Sequence, residues 1–159
     1  MCIVICELES EAVTPVIHNR KAYHEFFVLE SVECGIELRG TEVKSLRQGK
    51  VNLKDAWCSV DGEVYVKGMH ISPYEQGNRF NEDPMRPRRL LLHKREIQRL
   101  GLEVKRQGLT LIPLKLYFVR GRAKLEIGLC KGKKLHDKRA VAADKESRRT
   151  IDRAAKSLM

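Results

Sequence analysis

The large apolar residues of this chain almost stop at Lys131, and this break limits most strongly what the chain can fold into. Just upstream, the segment RAKLEIGLC alternates polar and apolar residues, which is the period of a half-buried strand. Downstream, residues 131–159 contain no aromatic residue and no proline. Any hydrophobic core must therefore be built by the first 130 residues, and residues 132–159 are expected to form a tail.

The tail is strongly basic. Residues 131–159 contain ten lysines and arginines against four acidic residues, and these carry +6 of the formal net charge of +10. An excess of this sign predicts a polyanionic partner, most often nucleic acid. No apolar run reaches the length of a membrane span, and the apolar start lacks the basic residues of a signal peptide. We therefore expect a cytoplasmic protein without membrane contact.

The first 130 residues contain several strand signals. The segment Ala22–Ser31 is rich in aromatic and β-branched residues, and Ile36 and Leu38 continue an alternating pattern. The segment DAWCSVDGEVYVKGMHI predicts a hairpin that turns at Asp61-Gly62. The segment GLTLIPLKLYFVRGRAKLEIGLC predicts two strands around the turn RGR, with a bulge or an edge at Pro113.

Two segments predict short helices. Gly40–Gly49 can form one, with Thr41 as its cap, and the segment HKREIQRLGLEVKRQ places Ile97, Leu100 and Val104 at helical spacing. A proline-marked loop lies between the hairpin and the second helix. About six strands without a βαβ rhythm predict a mainly β fold: a six-stranded OB-like antiparallel barrel with two or three short flanking helices and a disordered C-terminal tail. The predicted division is a loose segment 1–16, a barrel 17–131 and the tail 132–159.

The sequence offers little for catalysis. His136 and Asp137 are adjacent, and neighbours on a helix do not face each other. The segment GKVNLKDAW lacks the upstream glycine and the Ser/Thr of a phosphate-binding loop. The five cysteines are scattered and have no zinc-site spacing, so we expect no metal and no cofactor. A small ribonuclease remains the enzyme alternative.

Binding signals are stronger. The segment NRKAYHEFF places Arg20 and Lys21 beside Tyr23 and His24. Basic side chains in such a segment can bind phosphates, and exposed rings beside them can stack on nucleobases. The segment RPRRLLLHKR surrounds a leucine triplet with basic residues, among them Arg86, Arg88 and Arg89. This density favours phosphate contact over a merely solvated loop. A generic OB-type single-stranded RNA binder, such as an initiation-type factor, explains the charge and the barrel equally well.

Several blocks together resemble one family. NRKAYHEFFVLESVECGIELRGTEVKSLRQGKVNLKDAW, RPRRLLLHKREI, GLTLIPLKLYF and KLEIGLCKGKKLHDKR, which cover Asn19 to Arg139 in order, closely resemble the SsrA-binding protein family, called SmpB. The resemblance implies an OB-like barrel that binds the tRNA-like domain of transfer-messenger RNA (tmRNA). It also implies ribosome rescue by trans-translation, with elongation factor Tu as an indirect partner through the charged RNA. We expect the chain to be a monomer.

The resemblance also implies roles for single residues. Asn19, Arg20, Glu33 and Leu91 match positions that hold the tRNA-like domain in the family. The tail block matches positions that contact the ribosome near the small-subunit decoding centre and the mRNA channel; it comprises Gly132, Lys133, Lys134, His136, Asp137, Lys138 and Arg139. The expectation is a tail that is disordered when free and helical on the ribosome. The first 15 residues, with Cys2 and Cys6, match no family motif.

Overall fold

The computed structural model describes residues 15–157, without the side chains of 78–80, 135–136 and 154–157. Nine strands are present in this part of the chain: β1 (Ile17–His18), β2 (Phe26–Ile36), β3 (Val51–Asn52), β4 (Trp57–Val60), β5 (Val64–Lys67), β6 (His70–Ile71), β7 (Arg88–Leu91), β8 (Thr110–Val119) and β9 (Arg122–Gly132). Four α-helices and one 3-10 helix accompany them: α1 (Arg20–Glu25), α2 (Gly40–Arg47), the 3-10 helix Glu75–Phe80, α3 (Lys94–Gln107) and α4 (Leu135–Ser157).

The main sheet closes on itself. Its strand order is β1-β8-β4-β5-β7-β2-β9, and β8 pairs with β9 as well, so the six strands of four or more residues form a continuous antiparallel ring. Closure removes the unpaired edges that a small sheet would otherwise expose. The prediction of a mainly β fold with a large antiparallel sheet and a few short helices is confirmed.

The core lies inside this ring. Alternate residues of the strands point inwards, and Val64, Val66, Leu116, Leu125 and Ile127 are completely buried. The amphipathic helix α3 adds Leu100 to the same cluster. Burial of these side chains is the main source of stability for a domain of this size.

Helix α1 replaces the first part of a predicted strand. The sequence predicts extended backbone from Ala22, but Arg20–Glu25 is helical and β2 begins at Phe26. The side-chain oxygen of Asn19 accepts a hydrogen bond from the Ala22 amide at 3.1 Å, which caps the helix. The prediction of a strand over Ala22–Ser31 is therefore wrong for its first four residues and holds from Phe26 onward.

Two bulges turn a second group of apolar residues to the outside of the barrel. The register of β8 against β9 shifts between Pro113 and Lys115, as the proline predicts, and β2 shifts against β9 between Val28 and Glu30. A second small core, which includes Ala22 of α1, Leu114 and Cys130, lies there. Helix α1 is thus fixed on the outer wall of the barrel.

Most of the other predicted elements are confirmed. The β4–β5 turn contains Gly62 with a φ of +78°, and the β8–β9 turn contains Arg120 and Gly121, both with positive φ. Helix α3 covers the predicted segment. For α2, the capping residue is Arg39 instead of Thr41, because Glu42 accepts a hydrogen bond from the Arg39 amide at 2.7 Å.

The tail leaves the barrel as β9 ends at Gly132, and α4 follows from Leu135. Every described side chain from Arg139 to Arg153 is exposed, so this part of α4 is a basic helix surrounded by solvent. The predicted order–disorder change of the tail and the division of the chain at 16 and 131 stay predictions. Cys2 and Cys6 lie outside the described residues.

Candidate nucleic-acid interface

One cross-strand row on the outer wall joins four strands. Gly35 of β2 lies opposite Leu91 of β7 and opposite Lys124 of β9, and Lys124 lies opposite Tyr117 of β8. Residues paired in this way point to the same face of a sheet. Leu91 is 52% exposed, so the row forms part of the protein surface.

A second row runs beside the first. Glu33 lies opposite Glu126, Glu126 opposite Lys115, and Lys115 opposite His18 of β1. Because Glu33 and Gly35 are two residues apart on one strand, both rows share one face. We call these eight residues the wall surface.

Glu33 organises the centre of the wall surface. Its carboxylate accepts a hydrogen bond from the Tyr117 hydroxyl and forms an ion pair with Lys124 Nζ at 3.2 Å. These two donors, Tyr117 first, hold the pKa of Glu33 below its usual range, so it is charged at neutral pH. Burial and the Glu33 carboxylate raise the pKa of Tyr117 to about 12, so that hydroxyl keeps its proton. A charged carboxylate repels phosphate, and Glu33 therefore acts by fixing Tyr117 and Lys124.

A groove of about 460 Å³ adjoins this network. Its lining is apolar with two basic residues at the edge: Gly35, Ile36, Leu38, Val43, Leu91, Gly121, Arg122, Ala123 and Lys124. A Cβ atom at position 35 would lie 3.3 Å from Leu91 Cβ, so glycine leaves the floor flat beneath the leucine. The shape suits a flat apolar group with an anion nearby, as in a nucleotide.

The residues around α1 divide into a support and an exposed group. Asn19 is 2% exposed, and its amide donates to the carbonyl oxygens of Leu53 and Pro113, each at 2.9 Å. Its side chain is therefore used inside the protein, and Asn19 positions α1. Arg20 and His24 are exposed, and Tyr23 is 47% exposed. Lys21 forms an ion pair with Asp55 at 2.7 Å. RNA contact by these four residues stays a prediction.

The arginine cluster before α3 requires a correction. Arg88 is 0% exposed, its guanidinium pairs with Glu42 at 2.8 Å, and it also donates to three backbone carbonyls, those of Met69, Arg86 and Pro84. A guanidinium that is buried and fully occupied cannot contact a phosphate. Arg88 is a structural residue, and it was predicted as a contact because sequence alone does not reveal its burial.

The two neighbouring arginines are also held by carboxylates. Arg86 pairs with Glu42 at 2.7 Å, and exposed Arg89 pairs with Glu37 and Glu63, each at 3.1 Å. Burial alone would raise the pKa of Glu42, but Arg86, the Arg39 amide and Arg88 outweigh burial and lower it. The expected RNA contacts of Arg86 and Arg89 stay predictions.

The root of the tail is attached to α1. Lys133 donates its backbone amide to Glu25 O at 2.9 Å and its ammonium to Tyr23 O at 3.0 Å, and the ammonium lies 4.8 Å from the centre of the Phe27 ring. The Lys134 amide donates to Asp137 at 3.1 Å, which stabilises the first turn of α4.

Lys138 and Arg139 follow in that first part of α4, with Arg139 exposed. The side chain of His136 lies outside the described residues. Ribosome contact by the tail residues stays a prediction.

Sequence reasoning missed six of the eight residues of the wall surface, since it predicts only Glu33 and Leu91 as RNA contacts. Lys115, Tyr117, Lys124 and Glu126 alternate with buried residues on β8 and β9, so their outward direction is readable from the sequence. Their meeting with Glu33 and Leu91 depends on the register between strands, which one sequence does not show.

Within residues 15–157, no three His, Cys, Asp or Glu side chains are grouped so that they could hold a metal ion. No helix in this part of the chain is long and apolar enough to cross a membrane.

Known proteins place the chain in a family. Residues 16–157 match the family model described as SmpB protein. The chain belongs to the SmpB family. The SsrA-binding protein of Desulforudis audaxviator is 58% identical over 142 residues, which are 89% of this chain and 93% of that protein. The SsrA-binding protein of Carboxydothermus hydrogenoformans is 54% identical over 143 residues, which are 89% of this chain and 96% of that protein.

A solved structure agrees with this membership. A chain from the structure described as "tmRNA-SmpB: a journey to the center of the bacterial ribosome" superposes with a TM-score of 0.66 and 50% identity. The match covers 79% of this chain and 93% of that chain. The barrel described above is therefore the SmpB fold, and the family resemblance of the sequence is confirmed.

Proposed function

We propose that this protein binds the tRNA-like domain of tmRNA with its barrel and brings that RNA to stalled ribosomes in the cytoplasm. The relatives are SsrA-binding proteins, and the similar solved chain comes from a tmRNA-SmpB structure on the bacterial ribosome. We propose binding as the activity, without catalysis, and a monomer as the active form. Elongation factor Tu takes part indirectly, through the charged RNA.

The observation that carries the proposal is the division of the molecule into two unlike RNA-binding parts. The barrel presents a rigid surface, in which carboxylates hold the cations of the wall surface in place. A folded RNA offers shape and phosphates, which a rigid surface can recognise. The tail presents an exposed helix rich in lysine and arginine, and most of these side chains have no ion pair among the described residues. Such a helix suits a channel walled by phosphates.

Glu33, Tyr117, Lys124 and Leu91 form the proposed contact with the tRNA-like domain, next to the exposed side of α1. The groove beside Leu91 takes an unstacked base or a ribose, and Lys124 lies beside it for a phosphate. The tail, from Lys133 to Arg139 and beyond, probes the empty mRNA channel near the decoding centre. The attachment of Lys133 to Tyr23 links the two parts.

The test is a truncation after Lys134, which keeps both contacts of Lys133 with α1 and removes α4. The barrel is expected to stay folded and to bind the isolated tRNA-like domain within about threefold of the full chain, because loss of the tail removes only nonspecific attraction. Tag addition to a truncated message is expected to fail. Glu33→Ala provides the reverse control, with weaker RNA binding by about 1 kcal/mol or more and an intact tail.

The same assays separate the alternatives. If the truncated chain still supports tagging, the two-part design is wrong. A pull-down of cellular RNA that recovers many messages in place of one dominant structured RNA supports the generic OB-type RNA binder. Cleavage of RNA in the absence of ribosomes supports the ribonuclease.

A further inference from the structure

Helix α3 exposes a basic face that the proposed function does not use. Its buried side packs Ile97, Leu100 and Val104 against the barrel. At 3.6 residues per turn, seven of its eight exposed residues fall within an arc of about 140° on the opposite side; the eighth, Gln107, is the last residue of the helix. These seven residues are Lys94, Arg95, Gln98, Arg99, Leu102, Lys105 and Arg106.

Four of the five cations of this face have no partner among the described residues. Arg99 pairs with Glu30 at 2.6 Å. Among the described residues, Lys94, Arg95, Lys105 and Arg106 have no ion pair and no side-chain hydrogen bond. The two acids of the helix are used locally, since Glu96 accepts from the His93 amide at 2.9 Å and Glu103 accepts from Gln107 at 2.7 Å.

Two of these cations also oppose the helix itself. Lys94 and Arg95 lie in the first turn, where the helix dipole is positive and cations are unfavourable. Their position therefore gives no stability to the free protein. A bound anion would compensate both the repulsion and the missing ion pairs.

The position of the helix decides which anion this is. Helix α3 ends at Gln107 with Gly108 as its C-cap, and Thr110 at the start of β8 lies opposite Cys130, two residues before β9 ends and the tail leaves. Lys105 and Arg106 thus lie at the end of the barrel from which the tail leaves. Under the proposed function the tail enters the mRNA channel, and this end of the barrel therefore faces ribosomal RNA.

We propose that the exposed side of α3 is a phosphate-binding surface for ribosomal RNA, which acts together with the tail. This inference rests on the proposed function. The surface holds a ribosomal RNA backbone through four cations, while the wall surface holds the tRNA-like domain. The salt dependence of ribosome binding therefore has a component that comes from α3.

The test uses the full-length chain with two paired variants, Lys94→Gln with Arg95→Gln, and Lys105→Gln with Arg106→Gln. Glutamine is a good helix former, and all four positions are exposed, so α3 remains intact. The matched control is Lys44→Gln with Arg47→Gln, which removes two exposed cations from α2. Binding to purified stalled ribosomes and to the isolated tRNA-like domain is measured between 50 and 200 mM salt.

Each α3 pair is expected to lower the slope of log affinity against log salt on ribosomes by about 1.4 to 1.8, which corresponds to a roughly 10- to 30-fold loss at 0.15 M salt. Affinity for the tRNA-like domain is expected to stay within about twofold, which also shows that the variants are folded. The inference is overturned if both α3 double variants bind ribosomes with the wild-type affinity. It is also overturned if the α2 control loses as much ribosome affinity as the α3 variants, or if the α3 variants lose affinity for the tRNA-like domain to the same extent. A wild-type chain that binds neither RNA instead overturns the proposed function.

Discussion

Asn19→Ala is expected to destabilise the protein, and weaker RNA binding is expected to follow from that. The substitution removes the N-cap of α1, which contributes about 1 kcal/mol. It also removes two buried hydrogen bonds, to Leu53 O and Pro113 O, which contribute roughly 0.5–1.5 kcal/mol each. The free energy of unfolding should therefore fall by about 2–4 kcal/mol, a large part of the roughly 5–15 kcal/mol typical of a domain.

Urea unfolding measures the stability, and a gel shift with the tRNA-like domain measures the affinity. Asn19→Ser keeps the capping oxygen and should recover about 1 kcal/mol of the loss. Arg20→Ala, at the exposed neighbouring position, is the control: its stability should stay within about 0.5 kcal/mol of the wild type while its affinity falls. If Asn19→Ala unfolds at the wild-type urea concentration and yet loses RNA affinity, Asn19 contacts RNA directly and the reasoning is refuted.

Two further predictions concern Glu42 and Lys133. The lowered pKa of Glu42 means that its charge adds stability, which is present at neutral pH and is lost as the pH falls below about 4.5. Glu42→Gln should therefore lower the free energy of unfolding at pH 7 by roughly 3–5 kcal/mol and flatten the decline of the urea midpoint at acid pH. An unchanged decline would contradict this. Lys133→Met removes the contact with Tyr23 and should reduce tag addition, while the affinity for the tRNA-like domain persists. Lys133→Arg should restore part of the tag addition. Full tag addition by the methionine variant would show that the contact has no role.

The parts of the fold that sequence predicts are those with local causes. Helix α3 has a 3.6-residue period, and the β4–β5 hairpin has an Asp-Gly turn whose glycine adopts the positive φ that such a turn requires. Helix α1 could not be predicted in this way, because the cap that starts it is held by Leu53 and Pro113, 34 and 94 residues away. Tertiary contacts there override the strand propensity of the segment.

The candidate site shows the same limit. Glu33 and Leu91 came from family resemblance, and Lys124 and Tyr117 join them only through the register of three strands. The density of basic residues around Arg88 predicts a phosphate contact, but Arg88 is buried against Glu42, which is 46 residues away in the sequence. Sequence identifies which residues are charged, but only the fold shows which of these charges are paired.

The pairing of charges distinguishes the two proposed RNA surfaces of this protein. On the barrel wall, Lys115 and Lys124 each pair with a carboxylate, which holds the ammonium groups in place and reduces their net field. Such a surface recognises a defined RNA shape more than it attracts phosphate in general. On α3, Lys94, Arg95, Lys105 and Arg106 have no such partners among the described residues, so they attract phosphate over a longer range. Under the proposed function and the proposed role of α3, the paired cations give selectivity to the barrel, and the unpaired cations guide the complex to the ribosome.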